Sequence, residues 1–388
     1  MDIIIPPQKV TIPDYPIPTP PYDDTALVAR IDALEKRVEA LEKPPVVVTP
    51  PPPTQPPSAS TDIFAPGSMW RRKATNDAVR TNSPALVKEL KDFYINRKVW
   101  LTGASYGTGL YTVDSTTPKV PLEIVSYDYV KNAKGKWVPS GVAAVNTRAG
   151  TALRAELLQG YRIPTNAFAA SGRDGHIFIR DVSEDTGLEI WQLMNFGGKF
   201  YGAWGAKLKN LSQHPGFIPK LPSGERQGAR ASGLALWGGV ITLAELESGV
   251  IPHPIAFSVP YPSSKFVAPA VNSDGYSSKQ SWMPAWMWAT PGLAEGLKVR
   301  AKSSLVFQAN TCGMVKMVAK AFTDYGGYIV DKSDDRIGLY LESRAKYGQN
   351  DIQAYGKFLG KKADGSQKQI YDIYDQWAPL FDALEAVA

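Results

Sequence analysis

The chain has 388 residues, of which 44% are hydrophobic and 21% charged, and its formal net charge is +6. The single cysteine, Cys312, excludes a disulfide framework within the chain and a zinc site built from several thiolates. Basic and acidic residues are interspersed, which argues against nucleic-acid binding, and we expect no metal or other cofactor. The sequence has no run of about 20 apolar residues and no typical secretory signal, so no transmembrane segment is expected.

Residues 1–22 form a proline-rich segment with apolar residues between the prolines. Proline fixes φ and lacks an N–H donor, so this segment is predicted to be an extended arm and not a helix or a central strand. Its apolar side chains suggest that it anchors the chain on another protein of an assembly, and a disordered tail is the alternative. The candidate anchoring residues are Ile3, Ile4, Ile5, Ile12, Tyr15 and Ile17.

Residues 23–43 carry apolar residues at alternating spacings of four and three, which is typical of a coiled coil. Ile31 and Val38 favour a parallel dimer. The repeated pattern of arginine, two hydrophobic residues and glutamate instead resembles a trimerisation motif, so we predict a homotrimer. A single amphipathic helix packed on the body is a further alternative. The candidate oligomerisation residues are Leu27, Arg30, Ile31, Leu34, Glu35, Arg37, Val38, Leu41 and Glu42.

Residues 44–61 contain the run Pro50–Pro53 and further prolines on both sides. Such a composition favours polyproline II, a semi-rigid spacer with a rise of about 3.1 Å per residue. We therefore predict a linker between the coiled-coil stalk and the rest of the chain.

Residues 62–388 alternate short β-branched and aromatic runs with Gly, Pro, Asn and Asp. These runs predict strands at Leu122–Val130, His176–Val182, Leu188–Phe196, Ile255–Val259, Tyr328–Asp331 and Ile337–Glu342. Helices are predicted at Pro84–Phe93, Thr242–Glu247, Thr311–Tyr325 and Gln367–Val387. The spacing favours a mainly β body, a jelly-roll-like β-sandwich with peripheral helices and a C-terminal helix.

The densest group of titratable residues lies between His176 and Glu189. Two carboxylates held in one cleft could hydrolyse a glycan, one as acid and the other as base or nucleophile. The segment 183–187 is explained more simply as the turn of a β-hairpin, so no catalytic residue is expected. The alternative, a glycan-degrading enzyme, would use carboxylates among Asp174, Asp181, Glu184 and Glu189.

Three tryptophans fall within seven residues between 282 and 288, in a segment interrupted by Pro284. Flat aromatic side chains suit the binding of sugar rings or of a protein surface. A loop that folds back on the body would bury the same residues. The candidate receptor-binding residues are Tyr276, Trp282, Trp286 and Trp288.

Two segments, 232–257 and 321–331, resemble a β-sandwich module of extracellular actinobacterial proteins and of minor tail proteins of phages that infect actinobacteria. The resemblance covers residues 171–342 and carries no catalytic motif. Together with the arm, stalk and linker, it implies a minor tail or tail-tip fibre protein. Such a protein would assemble in the host cytoplasm, contact other tail proteins through its arm and present its body to the host envelope, where a glycan could be its receptor. A head-decorating fibre is an alternative.

Overall fold

The computed structural model describes residues 63–103, 105–131, 137–145, 151–196, 198–224, 226–283, 292–345 and 348–388. These residues all belong to one compact unit, Pro56–Ala388. The predicted arm, stalk and linker, with all the anchoring and oligomerisation residues named above, lie outside the described residues. Within the described residues, no helix is long and apolar enough to span a membrane.

The described part of the chain is mainly β, as the sequence predicts, and contains several sheets and few helices. The strands are β1 (Val99–Thr102), β2 (Gly109–Val113), β3 (Lys119–Val120), β4 (Leu122–Lys131), β5 (Trp137–Val145), β6 (Tyr161–Arg162), β7 (Ile177–Asp181), β8 (Thr186–Trp191), β9 (Met194–Phe196), β10 (Lys199–Gly202), β11 (Trp204–Leu208), β12 (Ile255–Pro260), β13 (Ser263–Phe266), β14 (Ala294–Glu295), β15 (Lys298–Ala301), β16 (Gly327–Ser333), β17 (Ile337–Tyr340) and β18 (Leu384–Val387). The α-helices are α1 (Ser83–Arg97), α2 (Thr151–Leu158), α3 (Leu243–Ser248), α4 (Gly313–Asp324), α5 (Asp351–Tyr355) and α6 (Ala378–Asp382).

The largest sheet has six strands in the order β1-β17-β12-β16-β15-β18. It is a mixed sheet, because β1 pairs with β17, and β12 with β16, in parallel, whereas the other pairs are antiparallel. Successive side chains of a strand point to opposite faces. On one face, Phe257, Ile329 and Leu339 join a buried cluster with residues of α1 and α4. Helices therefore cover this face.

The opposite face of the six-stranded sheet contacts a second sheet, with four strands in the order β11-β8-β7-β2. Tyr328 and Tyr340 of the large sheet share a buried cluster with Phe178 of β7. The neighbours of Phe178, Ile177 and Ile179, point the other way. They belong to a third cluster that includes residues of a further four-stranded sheet, β5-β4-β10-β9. The second sheet is therefore buried on both of its faces.

The predicted hairpin is confirmed, because β7 and β8 pair in antiparallel register and Asp181 lies opposite Thr186. The predicted strand Leu188–Phe196 is divided between β8 and β9, since Gln192 has a φ of 59°. Residues with positive φ interrupt the regular pleat of a strand.

The predicted helix at Thr242–Glu247 is confirmed as α3. Thr242 accepts a hydrogen bond from the backbone N–H of Glu245, whose carboxylate accepts from that of Thr242, and Gly249 ends the helix with a φ of 79°. This reciprocal pair is the capping box.

The C-terminal helix is shorter than the sequence predicts. A 3₁₀ helix spans Ile370–Trp377 and α6 ends at Asp382, after which β18 completes the edge of the large sheet. The segment Leu384–Val387 pairs with β15 along its whole length. Leucine, glutamate and alanine favour helices, but sheet pairing and the burial of Leu384, Ala386 and Val387 decide the outcome here.

Candidate functional site

A cleft of about 960 Å³ opens between the six-stranded sheet and the second sheet. A row of residues across four neighbouring strands forms part of its lining. In the strand register, Trp100 lies beside Gly338, Gly338 beside Ser258, and Ser258 beside Asp331. Neighbouring strands are about 4.8 Å apart, so Trp100 and Asp331 are separated by about 14 Å, with two small residues between them. This row makes a shallow floor with an aromatic ring at one end and a carboxyl group at the other.

Asp331 reaches the cleft because β16 contains a β-bulge. Phe257 lies opposite Ile329, but the next residue, Ser258, lies opposite Asp331, so Val330 is an extra residue in β16. In a regular strand Asp331 would share the face of Ile329, which is the helix-covered hydrophobic face. A bulge of this kind redirects the following side chain. Asp331 therefore points to the cleft face, where it is half-buried.

Aromatic and charged residues of the second sheet line the opposite side of the cleft. Trp191, at the end of β8, and Trp204, at the start of β11, are cross-strand partners, and both are half-buried. The indole Nε1 of Trp191 donates a hydrogen bond of 3.2 Å to a carboxylate oxygen of Asp174. The contact holds Asp174 at this wall. His176 is buried beside it, and burial lowers the pKa of its imidazole, an effect opposed by the charge of Asp174.

Arg230 is a buried cation in the lining of the cleft, with an exposed fraction of 2%. Its Nη1 donates to the carbonyls of Ala235 and Gly238, both at 2.9 Å. Its Cζ lies 5.2 Å from the ring centroid of Tyr340. Among the described residues, Nε and Nη2 have no hydrogen-bond partner. A buried guanidinium with unused donors is costly unless an acceptor approaches it, which makes Arg230 a candidate ligand-binding residue.

A group of carboxyl residues surrounds Asp331. Glu295 is completely buried and accepts a hydrogen bond from Ser273 Oγ at 3.1 Å. Burial raises the pKa of Glu295 to about 10, and the charges of Asp331 and Asp274 add to this effect. Burial likewise raises the pKa of Asp331 well above its ordinary value, with contributions from Asp274 and Asp174 that Arg230 partly offsets. The raised pKa favours the protonated form of Asp331. The described residues contain no group of three or more His, Cys, Asp or Glu arranged to hold a metal ion.

Three carboxylates that the sequence singles out as possible catalysts have structural contacts. Asp181 accepts hydrogen bonds from the turn residue Ser183 and forms a 3.0 Å ion pair with Arg162. Glu184 forms ion pairs with Lys119 and Arg162. Glu189 is completely buried and accepts from two backbone N–H groups. Of the four candidates only Asp174 is among the residues lining this cleft.

The predicted receptor-binding residues lie partly outside the described residues, because Trp286 and Trp288 fall in 284–291. Trp282 is 55% exposed, and its ring centroid lies 5.1 Å from that of Tyr261 and 6.0 Å from that of Tyr276. Lys332 connects this aromatic cluster to the cleft, since it lines the cleft and its Nζ lies 5.5 Å from the centroid of Tyr276. Exposure of Trp282 is compatible with a binding surface, and the role of the segment stays a prediction.

Five residues of the cleft are not among the site residues predicted from the sequence: Trp100, Trp191, Trp204, Arg230 and Asp331. Asp331 had a recognisable signal, because it is an acidic residue directly after the apolar run Tyr328–Val330 in a predicted strand. No sequence pattern marks the three tryptophans as site residues, because they belong to strands that are distant in sequence.

A scan against protein-family models and searches of curated proteins and of solved structures find no match to this chain. The geometry of the cleft is therefore the main indication of function.

Proposed function

We propose that this chain is a virion structural protein, a minor tail or tail-tip fibre, whose body binds a host envelope glycan in the cleft between the two sheets. The observation that carries the glycan assignment is the combination of aromatic and charged residues in one cleft of about 960 Å³. This volume lies at the upper end for small-molecule sites, which suits an extended ligand.

The chemistry of the lining matches that of a sugar chain. The rings of Trp100, Trp191 and Trp204 provide flat apolar surfaces for the C–H faces of sugar rings. Asp174 and Arg230 provide acceptors and donors for hydroxyl groups. Arg336 lies over the ring of Trp100, with Cζ 4.6 Å from the centroid, and restrains that indole at the rim of the cleft. Neither charge sign dominates, so the lining favours a polyhydroxylated ligand over a strongly charged one.

The virion assignment depends on the sequence of the N-terminal segments. In this proposal the arm 1–22 anchors the chain on other tail proteins, the stalk 23–43 makes a homotrimer, and the linker 44–61 extends the body toward the host. The finer fold assignment, a jelly-roll-like sandwich, is part of the same proposal. It is supported by the cluster that Tyr328 and Phe178 share between two sheets.

The experiment is a binding assay with the full-length chain and delipidated cell walls from a panel of actinobacteria. Trp191→Ala and Trp204→Ala should each reduce co-sedimentation with the walls at least tenfold, while circular dichroism stays that of the wild type. Trp282→Ala is the matched comparison, because it removes an exposed tryptophan from the neighbouring cluster. Loss of binding in Trp282→Ala alone would transfer the receptor site to that cluster. Absence of wild-type binding to every wall would overturn the glycan assignment.

The virion assignment has its own test. Phage carrying a deletion of residues 2–22 should assemble without this protein while the deleted chain remains soluble in the lysate. Antibody labelling of intact wild-type particles should mark the tail. Labelling of the head would favour the head-fibre alternative.

A further inference from the structure

The cleft places two carboxyl groups with different surroundings on opposite sides of the space where a glycan would lie. We propose that the cleft also hydrolyses the glycan that it binds, with Asp331 as the proton donor and Asp174 as the base that activates water. This inference rests on the proposed glycan-binding function of the cleft, and it goes beyond binding to a reaction class.

The position of Asp331 favours a catalytic role over a structural one. The extra residue Val330 turns its side chain away from the hydrophobic face and into the cleft. Its carboxyl accepts a local hydrogen bond from the backbone N–H of Lys332 at 3.0 Å. A general acid must carry a proton at the working pH and lie within reach of the leaving oxygen. Burial and the nearby Asp274 and Asp174 raise the pKa of Asp331, which favours the protonated form that a general acid needs.

Asp174 stands on the other wall, in the loop before β7, and is half-buried. The indole N–H of Trp191 fixes one of its oxygens, which orients the carboxylate beside an aromatic platform. Asp174 and Asp331 both line the cleft, one from each sheet side, so the two groups face a common space. Glycoside hydrolysis typically uses two carboxyl groups on either side of the scissile bond, one as acid and the other as base.

Arg230 provides an independent observation that points to a ligand. It is 2% exposed, it lines the cleft, and its Nε and Nη2 have no partner among the described residues. An oxygen of a bound sugar would satisfy these donors. Arg230 also interacts electrostatically with Asp331, so its charge stabilises the carboxylate that remains when Asp331 gives up its proton.

The reaction balances with water as the second substrate. The oxygen of water attacks the anomeric carbon while the bond from that carbon to the glycosidic oxygen breaks. The proton of Asp331 passes to the leaving oxygen, and Asp174 takes one proton from the attacking water. Exchange with solvent then returns the proton to Asp331 and removes it from Asp174. No oxidant, reductant or metal ion takes part.

The test measures the release of reducing ends from polysaccharide extracted from walls that bind the full-length chain. Wild type should release reducing ends. Asp331→Asn and Asp174→Asn should each reduce the rate at least a hundredfold, the lower range of general acid–base effects. For Asp331→Asn, wall binding should change less than threefold. The matched control is Asp364→Asn, in an exposed turn outside the cleft lining, where asparagine can accept the same hydrogen bonds from Ser366. It should leave the rate unchanged.

Formate should restore part of the activity of Asp174→Ala, because a small carboxylate can occupy the space of the removed side chain. This rescue separates a chemical role from a structural one. Binding without release of reducing ends would overturn the hydrolase and leave the binding function intact. Absence of binding and of release would overturn both. Full activity of Asp331→Asn would overturn the assignment of the acid.

Discussion

Asp331 lies opposite Ser258 on the neighbouring parallel strand, although Ile329, two residues earlier, lies opposite the preceding residue Phe257. One extra residue in β16 therefore decides which face of the sheet carries the carboxyl group. The same register brings Gly338 beside Ser258, so small residues form the floor between Trp100 and Asp331. The cleft thus results from a local irregularity combined with small residues on the two adjacent strands.

The first prediction concerns this floor. A Cβ at position 338 would lie 2.5 Å from Ser258 Oγ and 3.3 Å from Thr102 Cγ2. Gly338→Ala should therefore lower the free energy of unfolding by about 1–3 kcal/mol and weaken wall binding, because the floor of the cleft is overpacked. Urea unfolding and co-sedimentation with walls provide the two measurements.

Two further variants make the floor prediction specific. Gly313→Ala is the control, since nothing lies within 4 Å of a Cβ there. The double variant Gly338→Ala with Ser258→Ala removes the contacting hydroxyl and should recover most of the lost stability. A Gly338→Ala protein with wild-type stability and binding would show that the floor is not close-packed.

The second prediction concerns Glu189, which the sequence presents as a possible catalyst. Its two carboxylate oxygens accept from the backbone N–H groups of Ala229 at 2.6 Å and Leu236 at 2.7 Å. In Glu189→Gln, one of these N–H groups would face an NH₂ group. The free energy of unfolding should fall by about 1–3 kcal/mol, as expected when a buried N–H donor is left without an acceptor. Thermal and urea unfolding measure the change.

Glu247→Gln is the matched control for Glu189, because Glu247 is exposed and forms a surface ion pair with Lys357. Its unfolding free energy should change by less than about 0.5 kcal/mol. If Glu189→Gln is as stable as this control but does not hydrolyse the glycan, Glu189 would again be a candidate catalytic residue.

Local patterns predicted local structure well. The hairpin between β7 and β8 and the capped helix α3 follow from turn residues and caps within a few positions of one another. The C-terminal strand β18 could not be predicted in this way. Its residues favour a helix in isolation, and only the distant partner β15 makes them a strand.

The cleft has the same non-local origin. Trp100, Trp191 and Asp331 come from three separate regions of the sequence and meet only when the sheets pack together. The bulge at Val330 depends on the register with β12, which no pattern within β16 reveals. Local sequence patterns therefore indicate the charged hairpin but not the residues of the site.

The third prediction concerns the stalk. If Leu27, Ile31, Leu34, Val38 and Leu41 form a seam between three chains, the full-length protein should sediment with three times the mass of one chain at micromolar concentration. Ile31→Asp combined with Val38→Asp should yield monomers, because charges in the seam have no partner. Ala40→Asp lies off the seam and should leave the trimer intact. A monomeric wild type, or a dimer, would contradict the prediction.

The last prediction concerns the pH dependence that Glu295 gives to folding. Burial, with the nearby Asp331 and Asp274, raises the pKa of Glu295 in the folded chain to about 10, compared with 4.5 in the unfolded chain. Between these two values the folded chain holds a proton that the unfolded chain releases. The contribution to stability is thus fully present below pH 4.5 and is lost as the pH rises toward 10, with a slope on the order of 1 kcal/mol per pH unit.

Glu295→Gln keeps a permanent N–H group at this position and removes the titration. Urea unfolding at pH 5, 6.5 and 8 should show similar stabilities for wild type and variant at pH 5, with the variant increasingly more stable at higher pH. The pKa of Asp331 is also raised, and Asp331 acts on the pKa of Glu295, so the difference between the two curves measures Glu295 together with this interaction. Parallel curves for the two proteins would mean that Glu295 is ionised in the folded chain. Glu295 would then be a buried carboxylate near Asp331, and its negative charge would raise the pKa of Asp331 further.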